Sequence, residues 1–422
     1  METKKLWNRD FTMVVIGQII SLFGNAVLRF ALPLYLLNQT GSAALFGLVS
    51  ACAFIPMIIL APVGGIFADR VNKRNIMVIL DFSTALLILI LTLLLGKVNL
   101  VGLLLIVMIF LYGIQGAYQP SVQASIPALL STENIMQGNA VINLVSSFSG
   151  LIGPVAGGAL YGFLGIKPIL CVSVGCFVIS AVMEIFIHIP YEKKEAKGNV
   201  FEIGLHDLKD SFSYMSKKQP LILQVSFIIA GINMFLSALV MIGLPVIVTQ
   251  TLTLNSESVN QLYGYAQGAL AAGSLTGGVL AGVLSKKLKA KSSYLTLFYC
   301  ALTLIPIALA VALPIPAFES YLIIVVCCFI MMILASLFSI QMMAYLQIIV
   351  PGELLGKVIS CAMCIGMCAS PLGQAVYGGL FQVLSDKIYL IILAATVITC
   401  LIAAVSKPVF AKMEIILADY KI

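Results

Sequence analysis

Apolar residues run along this chain in long blocks, and polar residues are confined to short stretches between them. Lipid offers the backbone no hydrogen-bond partner, so a crossing segment must be a helix of about 20 apolar residues. Twelve blocks have that length, at 11–37, 42–67, 75–96, 101–121, 139–163, 167–188, 220–249, 262–285, 293–313, 320–344, 358–382 and 387–406. The pattern predicts an all-α polytopic membrane protein. The longest polar stretch, Pro190 to Pro220, divides six spans from six. Within it Phe201, Leu205, Leu208, Phe212 and Met215 recur at helical spacing, with Lys209, Lys217 and Lys218 near the polar side. This predicts an amphipathic helix on the inner membrane surface, tethering the halves.

Three patterns recur in the same order in the two halves. Ala31-Leu32-Pro33-Leu34 resembles Gly243-Leu244-Pro245-Val246. Ser121-Val122-Gln123 with Gly138 resembles Ser339-Ile340-Gln341 with Gly356. Pro154, Gly157, Tyr161 and Gly162 resemble Pro371, Gly373, Tyr377 and Gly378. An internal repeat of two six-helix bundles follows, with bounds at 1–190 and 220–422 and a linker at 191–219. That is a transporter architecture, with the site between the bundles.

Composition sharpens this picture. The 422 residues are 61% hydrophobic and 10% charged, with a mean hydropathy of +1.10. The net charge of +7 is a topology signal and gives no reason to expect nucleic acid. With the N-terminus inside, 20 of the 24 Lys and Arg fall on inner segments. Lys97, Lys167 and Lys387 fall outside, and Arg29 lies within a span. Both termini are therefore expected in the cytoplasm of a plasma-membrane protein with no cleaved signal.

No Gly-x4-Gly-Lys-Ser/Thr stretch is present to bind ATP, and no His, Cys or carboxylate constellation supports catalysis. The expected protein is not an enzyme and needs no cofactor or metal. Cys361, Cys364 and Cys368 share a helix face but lack His or carboxylate partners, which fits helix packing better than a metal site.

Polar residues inside the spans are few and therefore informative. Gln18, Ser21, Asn25 and Arg29 form one stripe on span 1, and Ser226, Asn233 and Ser237 form a similar stripe on span 7. A cation in a span costs roughly 2.5–3.5 kcal/mol. Arg29 either faces a cavity or snorkels outward. Asp81 and Glu184 are the acids within spans 3 and 6. Either carries a proton or is structural: Asp81 bracing nearby cations, Glu184 reaching the interface near His188 and Lys193.

Two further stretches carry mechanism. Between spans 2 and 3 the chain reads Gly65-x3-Asp69-Arg70-x2-Lys73-Arg74. Span 5 reads Gly150-x2-Gly153-Pro154-x2-Gly157-Gly158. Its glycines bare one helix face for close packing, and Pro154 removes a backbone donor. Span 8, with Gly268, Gly273, Gly277, Gly278 and Gly282, reads as packing alone.

These stretches resemble the signature loop of the major facilitator superfamily and the antiporter motif of its drug-exporter branch. Gln39 to Ala43 and Gln119 to Pro127 look like the macrolide-efflux (Mef-like) permeases. The resemblance implies that Gly65, Asp69, Arg70, Lys73 and Arg74 gate the transporter. Asp69 would tie the halves near Gly356-Lys357. Gly153, Pro154, Gly157 and Gly158 would form a hinge or seal. Spans 1, 4, 7 and 10 would line the central cavity, placing Gln18, Asn25, Arg29 and Asn233 on the substrate or proton pathway with Asp81. There are two departures. Asn72 stands where the loop usually has a second Gly, a residue that tolerates left-handed backbone. Tyr112 stands four residues before Gly116, where the branch often has Arg.

The expected function is secondary active export of amphipathic or hydrophobic compounds, of macrolide or multidrug type, by alternating access in exchange for protons. Met234, Met331 and Met332 are expected to give the cavity tolerance. The expected partners are a small-molecule substrate, protons and membrane lipids, with the chain acting as a monomer. Two alternatives stay open. One is export of a dedicated metabolite such as a siderophore or lipid, with Arg29 binding an anionic group. The other is a membrane sensor signalling through the Pro190–Pro220 helix.

Overall fold

The apolar blocks fold as helices, each satisfying its own backbone. The computed structural model describes residues 6–131, 134–189, 200–254, 259–284, 289–351 and 354–419; for 61–70, 136, 200–208, 355 and 419 only the backbone is described. The first half contains α1 (Arg9–Thr40), α2 (Ala43–Arg70), α3 (Lys73–Leu94), α4 (Leu100–Leu129), α5 (Ile135–Leu164) and α6 (Ile166–Ile185). The amphipathic α7 (Val200–Lys217) follows. The second half contains α8 (Pro220–Ile232), α9 (Ala238–Val246), α10 (Val259–Leu284), α11 (Ser293–Leu302), α12 (Leu304–Ala312), α13 (Ala317–Ile349), α14 (Leu355–Val383) and α15 (Ile388–Asp419). No strand occurs among the described residues. Twelve helical segments are long and apolar enough to cross a membrane, the number read from the sequence.

The chain forms two compact units, one of Met1–Thr40 with Cys52–Gly204, the other of Gly41–Ala51 with Leu205–Ile422. In the first, α1 packs on α5 and α6, and α3 packs on α6 and α4. In the second, α10 lies along α13, and α14 lies against α8 and α9. Glycines set these spacings. A Cβ at Gly277 would meet the Ile333 carbonyl oxygen at 2.5 Å, and one at Gly273 the Phe329 carbonyl oxygen at 2.5 Å. In the same unit Gly47 at the start of α2 meets Gly378 of α14, 2.7 Å from its Cα.

Span 7 departs from a plain α-helix. Residues Asn233–Ser237 and Ile247–Thr251 are π-helical. Pro245 lacks a backbone donor, and two residues on the ladder slips so that Leu252 N–H donates to the Ile247 carbonyl at 2.9 Å.

One local expectation is corrected. Asn72 is not left-handed: its φ is −59°, and its side chain caps α3 by accepting from Arg74 N–H at 3.1 Å. Asn serves there as an N-cap, satisfying a donor that the first turn leaves open. On α7 Met215 is buried, but Phe212 points outward at 46% exposure. The packed face runs through Ser211 and Met215, one turn apart, and that rotates Phe212 away from it.

Candidate functional site

The first unit contains a polar cluster at the meeting of α1, α3, α4 and α6. Gln18 is fully buried and donates from Nε2 to the Tyr118 hydroxyl at 2.7 Å. Tyr118 donates in turn to Glu184 Oε1 at 2.7 Å. Ser21 donates to Asp81 Oδ1 at 3.0 Å. Ser180, one turn before Glu184 on α6, donates to the Gly17 carbonyl at 3.1 Å. Gly17 permits this approach, since its Cβ position lies 3.5 Å from Ser180 Oγ and 3.8 Å from Glu184 Cγ.

Three acceptors in the cluster have no partner: Gln18 Oε1, Asp81 Oδ2 and Glu184 Oε2. Buried polar atoms without partners are rare and costly, so the cluster is not explained by packing alone. An apolar plug of Phe11, Val15, Met77, Val122, Ile126 and Ile187, all buried, covers the end of the bundle beside it.

The span 1 stripe continues through Asn25, buried with Oδ1 unpartnered, to Arg29. Arg29 is half-buried. Its Nη1 donates to Gln115 Oε1 at 3.3 Å, and its guanidinium lies over the Tyr112 ring, 4.3 Å from the centroid. Such a contact contributes roughly 0.5–2 kcal/mol. No carboxylate pairs with Arg29 among the described residues. Tyr112 holds the position where the drug-exporter branch often has Arg, and α1 brings a guanidinium to that same place.

The remaining sequence-derived residues are scattered. For Gly65, Asp69 and Arg70 only the backbone is described, and the Asp69 and Arg70 side chains lie outside the described residues. Lys73 and Arg74 open α3, with the Arg74 guanidinium donating to Asn75 Oδ1 at 3.1 and 3.2 Å. Asp81 bonds Ser21 rather than these cations. Gly153 and Gly157 pack on α1, against Ala26 and against Phe30 at 3.1 Å. Gly158 is buried and Pro154 lies within α5, while Gly150 faces open space. Gly153→Ala is therefore expected to lower the thermal stability of the purified protein, by about 1–3 kcal/mol, and Gly150→Ala to leave it unchanged or slightly raised.

Asn233 sits in the first π segment and donates from Nδ2 to the Gly366 carbonyl of α14 at 3.0 Å. Met331 is buried within its bundle and Met332 packs near Gly273. Met234 lines an apolar groove of about 430 Å³ with Phe235, Val376, Tyr377 and Leu390. A second apolar groove, about 500 Å³, lies along α1 and α5 and includes Trp7, Ile19, Phe23 and Phe148.

Sequence reasoning missed Tyr118, Gln115 and Ser180, and of its two alternatives for Glu184 the interface position does not hold, since the residue is fully buried. A signal was present on α6. Ser173, Ser180 and Glu184 repeat the spacing of Gln18, Asn25 and Arg29, and all three are buried.

Twelve apolar helices among the described residues, with polar side chains held among them, mark a multi-pass membrane protein. The chain belongs to the Major Facilitator Superfamily, whose family pattern matches residues 14–374. It is similar to macrolide efflux protein A of Streptococcus pyogenes, 24% identical over 405 residues that cover 95% of this chain and 96% of that one. It is also similar to multidrug resistance protein MdtG of Salmonella paratyphi C, 28% identical over 198 residues, covering 45% and 48% of the two chains. Among solved structures, the nucleoside transporter NupG has a TM-score of 0.74 at 13% identity, covering 96% of this chain and 99% of that one. An inward-facing bacterial homologue of the iron transporter ferroportin has a TM-score of 0.67 at 17% identity, covering 94% and 98%. These structural likenesses show the shared fold.

Proposed function

We propose that this transporter exports amphipathic or hydrophobic compounds, of macrolide or multidrug type, in exchange for protons by alternating access. The observation that carries the reading is the polar column of α1. Gln18, Ser21, Asn25 and Arg29 lie in a helix that crosses lipid, where such groups are retained for ion or substrate pathways. The likeness to macrolide efflux protein A supports the substrate class, since it spans nearly the whole of both chains. The apolar grooves suit amphipathic compounds.

In this reading both termini lie in the cytoplasm, as the distribution of Lys and Arg favours. Residues 1–190 and 220–422 act as the two moving bodies, joined by 191–219. Gly65, Asp69, Arg70, Lys73 and Arg74 form the gate, and Gly153, Pro154, Gly157 and Gly158 the seal beside α1. The chain works as a monomer in contact with membrane lipids.

The test is accumulation of a macrolide and of a cationic dye in cells expressing the chain. Accumulation should fall on expression and recover when a protonophore is added. Unchanged accumulation across both classes would sink the export reading, and indifference to the protonophore would sink proton coupling. Asp69→Asn should leave protein in the membrane but abolish most export, with altered labelling of engineered cysteines from one side. Wild-type flux and labelling in that variant would remove Asp69 from the gate.

A second reading is favoured by one observation, the Arg29 guanidinium without a carboxylate partner among the described residues. It is export of one dedicated metabolite carrying an anionic group, for which Arg29 supplies the counter-charge.

A further inference from the structure

Two carboxyl groups share one polar cluster inside the first bundle, and among the described residues no cation pairs with either. From α1 they face Gln18 and Ser21, and from α4 Tyr118. From α6, Ser180 adds a hydroxyl beside Asp81. Of the two cations of α1, Arg9 is the first residue of the helix, nine positions before Gln18, and Arg29 lies eight residues from Ser21, about 12 Å along the helix, where it is held by Gln115 and Tyr112. Lys73 and Arg74 sit in the first turn of α3, where Arg74 is taken by Asn75. The α4 and α5 sequences contain no charged residue, and Lys167 lies at the far end of α6 from Glu184. Beyond Glu184, the His188 backbone N–H is bonded to Asp10.

Asp81 and Glu184 are 2% and 0% exposed, each with one oxygen unpartnered. Gln18, also 0% exposed, keeps its Oε1 unpartnered while bonded into the same cluster. Like charges side by side in a dry site repel, and a proton on either carboxyl relieves that repulsion. The same proton supplies a donor where only acceptors now remain. The repeated half has no such pair. In the repeated half, the stretches offset by 212 to 218 residues from Asp81 and Glu184, namely 293–299 and 396–402, contain no acid.

We infer that Asp81 and Glu184, together with the Tyr118 hydroxyl bonded to Glu184, form a single proton-carrying site within the N-terminal bundle. This rests on the proton-driven export proposed above and names the groups that carry the ion. Transfer within the site balances simply. A proton leaves the Asp81 carboxyl for the Tyr118 oxygen while the Tyr118 proton passes to Glu184 Oε1, and the charge of the pair is unchanged. The apolar plug of Phe11, Met77, Ile126 and Ile187 closes one end, so the proton enters from the side of the α1 column, past Asn25. Arg29 belongs to the substrate and is not part of this site.

The test is infrared difference spectroscopy of the full chain in lipid nanodiscs between acid and alkaline pH, with Asp81→Asn, Glu184→Gln and Tyr118→Phe. The wild type should show a protonated-carboxyl band that is lost at alkaline pH. Each neutral variant should remove or shift it, and Tyr118→Phe, which keeps both acids, should shift it. A band unchanged in all three variants would overturn the inference. So would a band removed by sodium at constant pH, which would make this a metal-cation site. If the neutral variants aggregate, Tyr118→Phe and Ser21→Ala decide alone, and an unmoved band in both overturns the pair. Export is read separately. Wild-type export that ignores a protonophore, with the band behaving as expected, overturns the proton coupling of export and supports the proton site. Protonophore-sensitive export with an unmoved band does the reverse.

Discussion

Replacing Gly277 with leucine is expected to leave no monodisperse protein after purification, and Gly277→Ala to lower thermal stability by about 1–3 kcal/mol. The reason is the closeness of α10 to α13. An added Cβ at Gly277 meets the Ile333 carbonyl oxygen at 2.5 Å, Ser336 Cβ at 2.8 Å and Ile333 Cα at 3.0 Å. Two of these three atoms are backbone, so relief needs the helices to separate rather than a side chain to turn. Gly273, one turn away, meets the Phe329 carbonyl at 2.5 Å and Met332 Cβ at 3.0 Å, so separation would have to extend along the seam. Without a hydrophobic drive between helices in lipid, this close backbone packing is much of what holds the pair. Gly282→Ala is the control. Nothing lies within 4 Å of its Cβ position, and alanine there should stabilise by up to ~1 kcal/mol through helix propensity. Equal melting temperatures for the Gly277→Ala and Gly282→Ala proteins would show that the seam is looser than its geometry.

Arg29→Gln is expected to change thermal stability little while lowering export. Removing a cation from a spanning helix relieves an insertion cost of roughly 2.5–3.5 kcal/mol. The loss of the Tyr112 face, roughly 0.5–2 kcal/mol, and of the charge-assisted Gln115 bond, about 1.5–3 kcal/mol, offsets it. The net change in stability is therefore small. A charge-assisted bond to substrate is worth about 1.5–3 kcal/mol, so its loss should weaken substrate binding roughly 10- to 100-fold. The paired readouts are the melting temperature of the purified protein and drug susceptibility of expressing cells. A fall in melting temperature with unchanged export would make Arg29 a structural brace for α4. Selective loss of an anionic compound, with macrolide export kept, would favour the dedicated-metabolite reading.

The twelve spans were legible because lipid leaves the backbone one solution, and an apolar run of sufficient length records it directly. The close-packed glycine faces of α5 and α10 were legible for a related reason, since a bare helix face has few other uses. Local conformation was less so. Asn72 reads equally as a left-handed residue or an N-cap, and only the course of the chain into Lys73 selects the cap. The π segments in span 7 depend on how one ladder slips after Pro245, which a hydropathy pattern does not register.

The polar stripe on α1 was visible as a stripe, but its partners were not. Periodicity places residues on a face of one helix and is silent about which helix lies opposite. Asp81 and Glu184 are 103 positions apart in the chain, and each reads by itself as a lone acid, either a proton carrier or a structural group. Tyr118 was one more aromatic residue in an apolar run. Helix packing turned these three toward Gln18 and Ser21. It also carried Arg29 across to the Tyr112 ring. Sequence alone determined that this protein crosses the membrane twelve times and belongs with transporters, because those properties follow from local composition and spacing. Which polar groups share one buried site was decided only by tertiary packing, because hydrogen bonds of a few ångströms depend on the rotation of four helices at once.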